Sequence, residues 1–298
     1  MVELERGYPL ARLTTVRAGG AAELFARAGS AGELLELLRF ARAEQHELAV
    51  IGSGSNLLVA DEGVGGLVVH LDGTLARIEP VAGGLECGGG ARMPAVAARA
   101  AALGLAGVEF AVNIPGTVGG AVRMNANAYD GALAGVLAWV DVASDAGIAR
   151  RSPDSLGFAY RSSALLPGEV VTAVNFALSD STPEAVKATL AGMRERRHVA
   201  QPKGIKTFGS TFKNPPGATA GQLLAAAGAG GLRVGDARLS PKHANFVENL
   251  GRASTADIVA LMALARERVL EHAGVALERE VQVLGPVEFP WEKAESHE

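Results

Sequence analysis

Two glycine-rich segments constrain the fold of this 298-residue chain more than any other feature of its sequence. The longer one spans residues 110–127, where Pro115 and Gly116 predict a tight turn. Gly119 and Gly120 follow that turn, and because neither carries a Cβ atom, the backbone there can approach a ligand closely. Successive N–H groups in such turns form a concave surface that favours phosphate. The alternative interpretation is an ordinary loop with a Gly-Gly hinge.

The second segment, residues 51–59, begins at the end of an apolar run, residues 48–51, that predicts a buried strand. It is not a Rossmann turn, because Leu57 stands where the third glycine would be, and it lacks the lysine of a Walker loop. Two phosphate-binding loops in one chain favour a dinucleotide-sized ligand held by backbone groups. The residues of this second loop are Gly52, Ser53, Gly54, Ser55, Asn56 and Leu57.

Charge and composition narrow the classes of function. A net charge of -4 disfavours a nucleic-acid-binding surface, which needs clustered positive charge. The single cysteine, Cys87, excludes a disulfide framework, favours a reducing compartment and is expected to be an inert buried thiol. The first residues show no signal sequence and no apolar run could span a bilayer, so we expect a cytoplasmic protein without membrane contact. A monomer is a separate expectation that these features do not test. Zinc-binding spacings of cysteine and histidine do not occur, so no metal site is expected.

Hydrophobic periodicity predicts a mixture of helices and strands in two or three domains. Ser30 and Glu33 predict a capping box, and Gly104 and Gly274 are predicted to end two later helices. A linker is predicted at residues 201–204, and the tail after Pro290 is expected to be disordered. The predicted helices cover residues 34–41, 93–103, 182–198, 219–227 and 255–272, and the predicted strands cover residues 24–26, 48–51, 67–69, 76–78, 85–87, 137–143, 170–178 and 277–284.

Six short motifs between residues 14 and 284 occur together in one known family. They are Ile-Pro-Gly-Thr-Val-Gly-Gly-Ala-Val at 114–122, Met-Asn-Ala at 124–126, Tyr-Arg at 160–161, Gly-Ser-Thr-Phe-Lys-Asn-Pro at 209–215, Lys-His-Ala-Asn-Phe at 242–246 and Leu-Glu-Arg-Glu-Val at 277–281. With the loop at residues 51–59, they resemble the family of UDP-N-acetylenolpyruvoylglucosamine reductases. These flavoenzymes make UDP-N-acetylmuramate for bacterial peptidoglycan.

The resemblance implies an α+β protein with the FAD-binding fold of VAO/PCMH-type flavoproteins. It implies two FAD-binding subdomains, at residues 1–70 and 71–202, and a C-terminal α+β substrate-binding domain at residues 203–298. The short chain between Tyr160 and Arg194 resembles the shorter subtype of the family. The cofactor-binding residues implied by the motifs are Gly52, Ser53, Gly54, Ser55, Asn56, Leu57, Pro115, Gly116, Thr117, Gly119, Gly120 and Asn125.

The same resemblance implies that Arg161, Ser210 and Glu280 are catalytic. In isolation, each has a plainer interpretation: a surface salt bridge, a turn serine and an exposed strand carboxylate. A lone histidine such as His243 is expected to be structural. The implied contacts to UDP-N-acetylglucosamine enolpyruvate are Tyr160, Lys213 and Asn214.

The reaction implied by the resemblance passes hydride from NADPH through FAD to the β-carbon of the enolpyruvyl group. A carboxylate-conjugated double bond accepts hydride only if the resulting enolate is stabilised, and Arg161 is a cation suited to that task. Glu280 can hydrogen-bond the same group if it holds a proton, and Ser210 is the implied proton donor to the α-carbon.

Two other functions stay open at this point. One is a flavin oxidase of the same fold, although such enzymes often tether flavin through His or Cys, and neither occurs in the two loops. The other is a nucleotide-sugar-binding sensor, which would not need the three catalytic residues. The chain also departs from the family at Asn113, Asn127 and Asp130, where glycine is common.

Overall fold

The computed structural model describes residues 2–202 and 204–295, with residues 293–295 described by backbone alone. Within these ranges no helix is long and apolar enough to cross a membrane. The helices are α1 (Ala31–Ala43), α2 (Met93–Leu103), α3 (Val118–Arg123), α4 (Pro183–Ala200), α5 (Ala220–Ala226), α6 (Thr255–Ala273) and α7 (Pro290–Glu295). The strands are β1 (Glu5–Pro9), β2 (Ala21–Ala28), β3 (Leu48–Ile51), β4 (Leu57–Val59), β5 (Val64–Leu71), β6 (Ile78–Val81), β7 (Gly84–Gly88), β8 (Leu105–Ala106), β9 (Asn127–Ala128), β10 (Gly131–Ala132), β11 (Leu137–Ser144), β12 (Gly147–Arg151), β13 (Val170–Ala177), β14 (Ser179–Asp180), β15 (Arg233–Val234), β16 (Ala237–Leu239), β17 (Val247–Asn249) and β18 (Gln282–Leu284).

The chain folds into two compact units, and three segments of the sequence contribute to each. The first unit contains the chain up to Arg6, Leu24–Ser53 and Gly66–Val199, and the second contains Gly7–Glu23, Gly54–Gly65 and the chain from Ala200 onward. No pattern in the sequence indicates that the two short N-terminal segments join the C-terminal unit. The division into three domains with limits at residues 70 and 202 stays a prediction.

The first unit has two hydrophobic cores on its two larger sheets, and it also contains the two-stranded sheets β10-β9 and β14-β8. A four-stranded sheet, ordered β1-β2-β5-β3, packs against α1 through residues such as Leu34, Leu38 and Leu67. A five-stranded antiparallel sheet, ordered β12-β11-β13-β7-β6, shares its core with α2 and α3. In that sheet Val174 pairs with Cys87, so the single thiol is buried within a central strand.

The second unit is built around α5, α6 and the antiparallel sheet β15-β16-β17. Its core includes the fully buried rings of Phe208 and Phe212. The segment that contains β4 joins this unit by parallel pairing with β18. It also joins through Asp61, whose carboxylate accepts hydrogen bonds from the N–H groups of Thr255 and Ala256 at 2.9 and 3.0 Å.

Most predicted elements are confirmed, and the best agreement occurs where a local signal marks the end of a helix. Helix α2 spans the predicted residues and ends at Gly104, whose φ of 69° is one that glycine accepts without strain. Helix α6 ends in the same way at Gly274, with φ of 67°. Strand β3 also has the predicted bounds.

Four predictions are wrong in detail. Ser30 caps α1, but the Glu33 carboxylate accepts from the N–H of Gly29 at 2.7 Å, so the reciprocal half of the capping box is absent there. The predicted strand at residues 76–78 begins only at Ile78, because the Asp72 side chain caps a short 3₁₀ turn that precedes it.

The predicted terminal strand, residues 277–284, is regular only in β18, because residues 277–281 pair with a loop segment rather than a strand. The expected disorder after Pro290 is also wrong as far as α7 extends, because Phe289 and Trp291 pack on the core of the second unit. The remainder of that prediction, residues 296–298, lies outside the described residues.

Candidate active site

The two glycine-rich loops meet inside the first unit. Gly52 lies so close to Thr117 that a Cβ atom on this glycine would collide with the threonine Oγ1 atom. Thr117 in turn caps α3 by accepting a hydrogen bond from the Gly120 N–H at 3.5 Å. Both loops line a cavity of about 260 Å³ in this unit. A ligand in the cavity can therefore touch both loops, as the sequence predicts.

Two backbone N–H groups in the segment of residues 110–127 already have partners within the protein. The N–H groups of Val118 and Gly119 donate to the carbonyl oxygens of Ala91 and Gly89, at 2.8 and 2.7 Å. These two N–H groups are therefore already used by the protein, and the cofactor-binding role of the segment stays a prediction. The absence of a Cβ atom permits close packing instead, since one on Gly119 would lie 3.1 Å from the Gly89 carbonyl oxygen.

A further pair of glycines, Gly89 and Gly90, also lines the cavity, and the sequence analysis did not assign it. The signal was present, because three successive glycines directly follow the predicted strand at residues 85–87. A Cβ atom on Gly89 would collide with the Val171 carbonyl oxygen, so the lack of a side chain is required by packing there.

One rim of the cavity is a network of charged groups around Arg123 and Glu169. The Arg123 guanidinium donates to the carbonyl oxygens of Leu165, Leu166 and Glu169, the last at 2.7 Å. Burial lowers the pKa of Arg123, although the charge of Glu169 opposes this effect. Burial disfavours the charged form of Glu169, but hydrogen bonds from Arg151 and from the Leu166 N–H outweigh it and lower the pKa of the carboxyl group. The hydrogen bonds of Arg123 and Glu169 therefore hold the backbone of residues 165–169 at this edge of the cavity.

The remainder of the loop at residues 51–59, from Gly54 onward, belongs to the second unit. Gly54 has φ of 56°, and a Cβ atom on it would collide with the Leu13 carbonyl oxygen. The Asn56 carboxamide donates to the Glu280 carbonyl oxygen at 3.4 Å, and the Asn56 carbonyl accepts from the Gln282 N–H at 3.1 Å. The predicted cofactor residues divide accordingly: Gly52, Ser53, Pro115, Gly116, Thr117, Gly119, Gly120 and Asn125 lie in the first unit, and Gly54, Ser55, Asn56 and Leu57 lie in the second.

Ser210 and Glu280 lie on neighbouring segments of the second unit, and both are half-buried. The Glu280 N–H donates to the Thr211 carbonyl oxygen at 2.8 Å, and the Lys213 N–H donates to the Glu278 carbonyl oxygen at 2.8 Å. These bonds involve backbone atoms only, so they hold the two segments together whatever side chain stands at either position.

Asn245, to which the sequence analysis assigns no role, holds the other side of the Ser210 segment. Its carboxamide accepts from the Phe212 N–H and donates to the Phe212 carbonyl oxygen, both at 2.9 Å. Its backbone carbonyl accepts from the Thr211 N–H at 2.9 Å, and Ser210 forms an antiparallel bridge with Phe246. A buried amide can make both side-chain bonds because it carries a donor and an acceptor. The position of Ser210 is therefore fixed from two sides.

Arg161 belongs to the first unit, at a tight turn closed by two backbone hydrogen bonds between Ala159 and Ser162. Its φ of 57° is uncommon for a residue with a side chain. The guanidinium carbon lies 5.1 Å from the centroid of the Tyr160 ring, and Nη1 donates to Asn127 Oδ1 at 2.8 Å. The structure thus brings Ser210 and Glu280 together in one unit and places Arg161 in the other.

The three residues predicted to contact the substrate have different surroundings in the structure. Tyr160 is 48% exposed at its turn. The Lys213 ammonium pairs with the Glu278 carboxylate at 3.1 Å, an exposed pair that costs little to break. Asn214 Oδ1 accepts from the Ala220 N–H at 3.0 Å. Their roles toward the substrate stay predictions.

Two predicted cofactor residues carry buried acceptor atoms without a partner. Among the side chains of described residues, Asn56 Oδ1 and Asn125 Oδ1 are buried and accept no hydrogen bond. An unsatisfied buried acceptor costs roughly 1–3 kcal/mol, so a hydroxyl or N–H group of a bound ligand would remove that cost. Both atoms therefore fit a ligand that carries hydrogen-bond donors.

Two residues expected to be structural have structural surroundings. Burial, with the charge of Glu86, raises the pKa of the Cys87 thiol to about 12, so it stays neutral and inert. Burial lowers the pKa of His243, whose ring packs edge-on against Phe246 at 4.8 Å. The burial of Cys87 confirms the expectation that its thiol is buried and inert.

Comparison with known proteins agrees with this arrangement. Residues 22–151 match a family described as "FAD binding domain", and residues 201–284 match "UDP-N-acetylenolpyruvoylglucosamine reductase, C-terminal domain". UDP-N-acetylenolpyruvoylglucosamine reductase 2 of Symbiobacterium thermophilum is 43% identical over 97% of this chain and 94% of that protein. The chain belongs to this reductase family. The reductase of Myxococcus xanthus is 42% identical over 95% of this chain and 93% of its own length.

A solved reductase structure supports the family at the level of the fold. The crystal structure of the Thermus caldophilus reductase gives a TM-score of 0.82 at 38% identity, and the match covers 95% of this chain and 99% of that one. Membership of the reductase family confirms the predicted fold class, an α+β protein with an FAD-binding fold and a C-terminal domain of the family.

Gly120 offers a clean test of the cavity, because a Cβ atom there would meet nothing within 4 Å except Thr117 Oγ1 at 3.6 Å. We expect Gly120→Ala to fold normally and to weaken FAD binding by about ten-fold or more, the effect of about 1–3 kcal/mol of overpacking. The dissociation constant is measured by flavin fluorescence during reconstitution of the apoprotein. Gly192→Ala on α4 is the matched control, because a Cβ atom there also meets nothing within 4 Å. Equal flavin affinity in both variants would contradict a flavin site at this wall.

Proposed function

We propose that this protein reduces the enolpyruvyl group of UDP-N-acetylglucosamine enolpyruvate to give UDP-N-acetylmuramate for peptidoglycan, with NADPH as the hydride donor. The observation that carries the proposal is the fixed pair of Ser210 and Glu280, joined through the Thr211 carbonyl oxygen next to the Asn56 loop. A proton donor and a hydrogen-bonding carboxyl group on two segments joined by backbone hydrogen bonds suit a reaction that must both stabilise and protonate an enolate.

FAD, when bound, supplies the redox centre that accepts hydride from NADPH and passes it to the substrate. The residues present fit this group in the first unit, where two glycine loops and the Gly89–Gly90 pair line one cavity. The unpartnered acceptors of Asn56 and Asn125 fit the hydroxyl and N–H donors that FAD carries. The residues that would hold it are Gly52, Ser53, Gly54, Ser55, Asn56, Leu57, Pro115, Gly116, Thr117, Gly119, Gly120 and Asn125.

The remaining chemistry belongs to side chains of this chain. Arg161 carries a permanent positive charge with a planar set of donors, so it suits the carboxylate whose charge grows as the enolate forms. Glu280 supplies a hydrogen bond to the same group when protonated. Ser210 donates a proton to the α-carbon, and its hydroxyl can do so because the enolate is strongly basic. Tyr160, Lys213 and Asn214 are the proposed contacts to the UDP-sugar.

Cofactor content tests the proposal against its rivals. The purified protein should be yellow and should release FAD, not FMN, when denatured, because a mononucleotide would leave one of the two loops without a ligand. Turnover of the enolpyruvyl substrate with NADPH then separates the reductase from an oxidase of the same fold. A colourless protein that cannot be reconstituted with FAD, or one that binds the UDP-sugar without consuming NADPH, would leave the sensor as the remaining function.

Two substitutions of Glu280 can distinguish a need for its charge from a need for its hydrogen bond. We expect Glu280→Ala to slow substrate reduction by about 10²-fold or more, the range for loss of an aligned acid or oxyanion donor. Glu280→Gln keeps a donor and should retain clearly more activity. Steady-state kinetics measures both, with the exposed Glu267→Gln on α6 as control. Equal losses in the two Glu280 variants would indicate that an ionised carboxylate, rather than a donor, is needed.

Three further proposals concern the whole protein. We propose a cytoplasmic monomer, because the single cysteine is a buried thiol and NADPH is a cytoplasmic reductant. We also propose FAD-binding subdomains at residues 1–70 and 71–202 with a substrate domain at residues 203–298. The two hydrophobic cores of the first unit support the first division.

A further inference from the structure

The side chain of Asn127 contacts the proposed catalytic arginine. Its Oδ1 atom accepts a hydrogen bond from Arg161 Nη1 at 2.8 Å. A glycine at this position could not make this bond because it has no side chain. Asn127 therefore adds a contact to the group on which the proposed reaction depends.

The backbone on both sides of this contact is fixed. Asn127 begins strand β9, which pairs with β10 across a turn, so that Ala132 lies opposite it. Arg161 stands at the Ala159–Ser162 turn, and the Asn125 carboxamide donates to the Ala159 carbonyl oxygen at 3.1 Å. Residues 125–127 therefore contact the Arg161 turn at two points. Asn125 binds the backbone of the turn, and Asn127 binds the Arg161 guanidinium.

The Asn127 contact orients the arginine side chain together with the Tyr160 ring, whose centroid lies 5.1 Å from the guanidinium carbon. Arg161 is half-buried with φ of 57°, and the preceding Tyr160 is 48% exposed. A long side chain at an exposed turn populates several rotamers, and each lost rotamer costs free energy when the group must act in one orientation. An acceptor at 2.8 Å orients the guanidinium before the substrate arrives.

We propose that Asn127 is a positioning residue for Arg161, a role that rests on the proposed function. A neutral amide suits this role better than a carboxylate, because it orients the guanidinium without cancelling its charge. An aspartate would form an ion pair and weaken the positive potential available to the enolate. The identity of the residue, and not only the presence of an acceptor, therefore matters.

Asn127→Gly and Asn127→Asp test this inference, with the two half-reactions followed separately by anaerobic stopped-flow absorbance. We expect Asn127→Gly to slow flavin reoxidation by the enolpyruvyl substrate by about ten-fold or more, as for one hydrogen bond to a charged group. The aspartate variant should be slower still, and flavin reduction by NADPH should be unchanged in both. In the Arg161→Ala background, Asn127→Gly should have no further effect, because the two residues act as one unit.

Asp130→Gly is the matched control, because Asp130 lies in the same β9–β10 hairpin with φ of 63°, which glycine accepts without strain. It should leave both half-reactions unchanged. Unchanged reoxidation in Asn127→Gly, or equal slowing of both half-reactions, would overturn the positioning role while the proposed function stands. Full activity in Arg161→Ala would instead contradict the proposed function itself.

Discussion

Replacement of Ser210 by alanine should slow the reoxidation of flavin by the enolpyruvyl substrate by about 10²–10⁴-fold, the usual contribution of a positioned acid. Flavin reduction by NADPH should be nearly unchanged, because that step transfers no proton to the substrate carbon. The backbone bonds that hold this segment, from Thr211 to Asn245 and from Glu280 to Thr211, do not involve the serine side chain. The substitution should therefore remove the proton donor and leave its surroundings intact.

A cysteine at the same position distinguishes a chemical role from a structural one. Ser210→Cys should recover part of the loss, because a thiol can also donate a proton, and stopped-flow absorbance measures each half-reaction in both variants. If Ser210→Ala slows flavin reduction as much as reoxidation, the serine only shapes the site. The two hydrogen bonds between the Asn245 carboxamide and the Phe212 backbone would then explain the motif at residues 209–215.

Replacement of Arg161 by alanine should slow substrate reduction by at least about 10²–10³-fold, as expected for loss of a group that stabilises an oxyanion. Lysine should rescue poorly, because it lacks the planar fork of donors that matches a carboxylate and holds Asn127. The measurement is kcat and KM for the enolpyruvyl substrate, together with the thermal midpoint of unfolding. Arg99→Ala, an exposed change on α2 of the same unit, is the control. Unaltered kcat in Arg161→Ala would show that the arginine is a surface residue.

The sequence predicts those structural features that depend only on residues nearby in the chain, such as the ends of helices. Gly104 ends α2 because the helix needs a residue that accepts positive φ, and that requirement is visible from the sequence alone. The two loops were predicted to share one ligand, and they lie close together because the missing Cβ atom at Gly52 permits its contact with Thr117.

Features that depend on distant partners could not be predicted in this way. The N–H of Gly119 donates to the carbonyl oxygen of Gly89, a partner 30 residues away that no local pattern indicates. The contact between Arg161 and Asn127 joins two turns far apart in sequence, and no local pattern records it. The sequence motifs indicate the three catalytic residues. Only the structure shows that the backbone of Thr211, next to Ser210, is hydrogen-bonded to Asn245 and Glu280.

The most direct test of the central claim is a sequential anaerobic experiment on the purified holoenzyme. NADPH should bleach the absorbance of bound oxidised flavin, and UDP-N-acetylglucosamine enolpyruvate should then restore it with formation of UDP-N-acetylmuramate. UDP-N-acetylglucosamine, which lacks the enolpyruvyl group, should not restore it. Flavin that stays reduced after addition of the enolpyruvyl substrate, or that is not reduced by NADPH at all, would contradict the account.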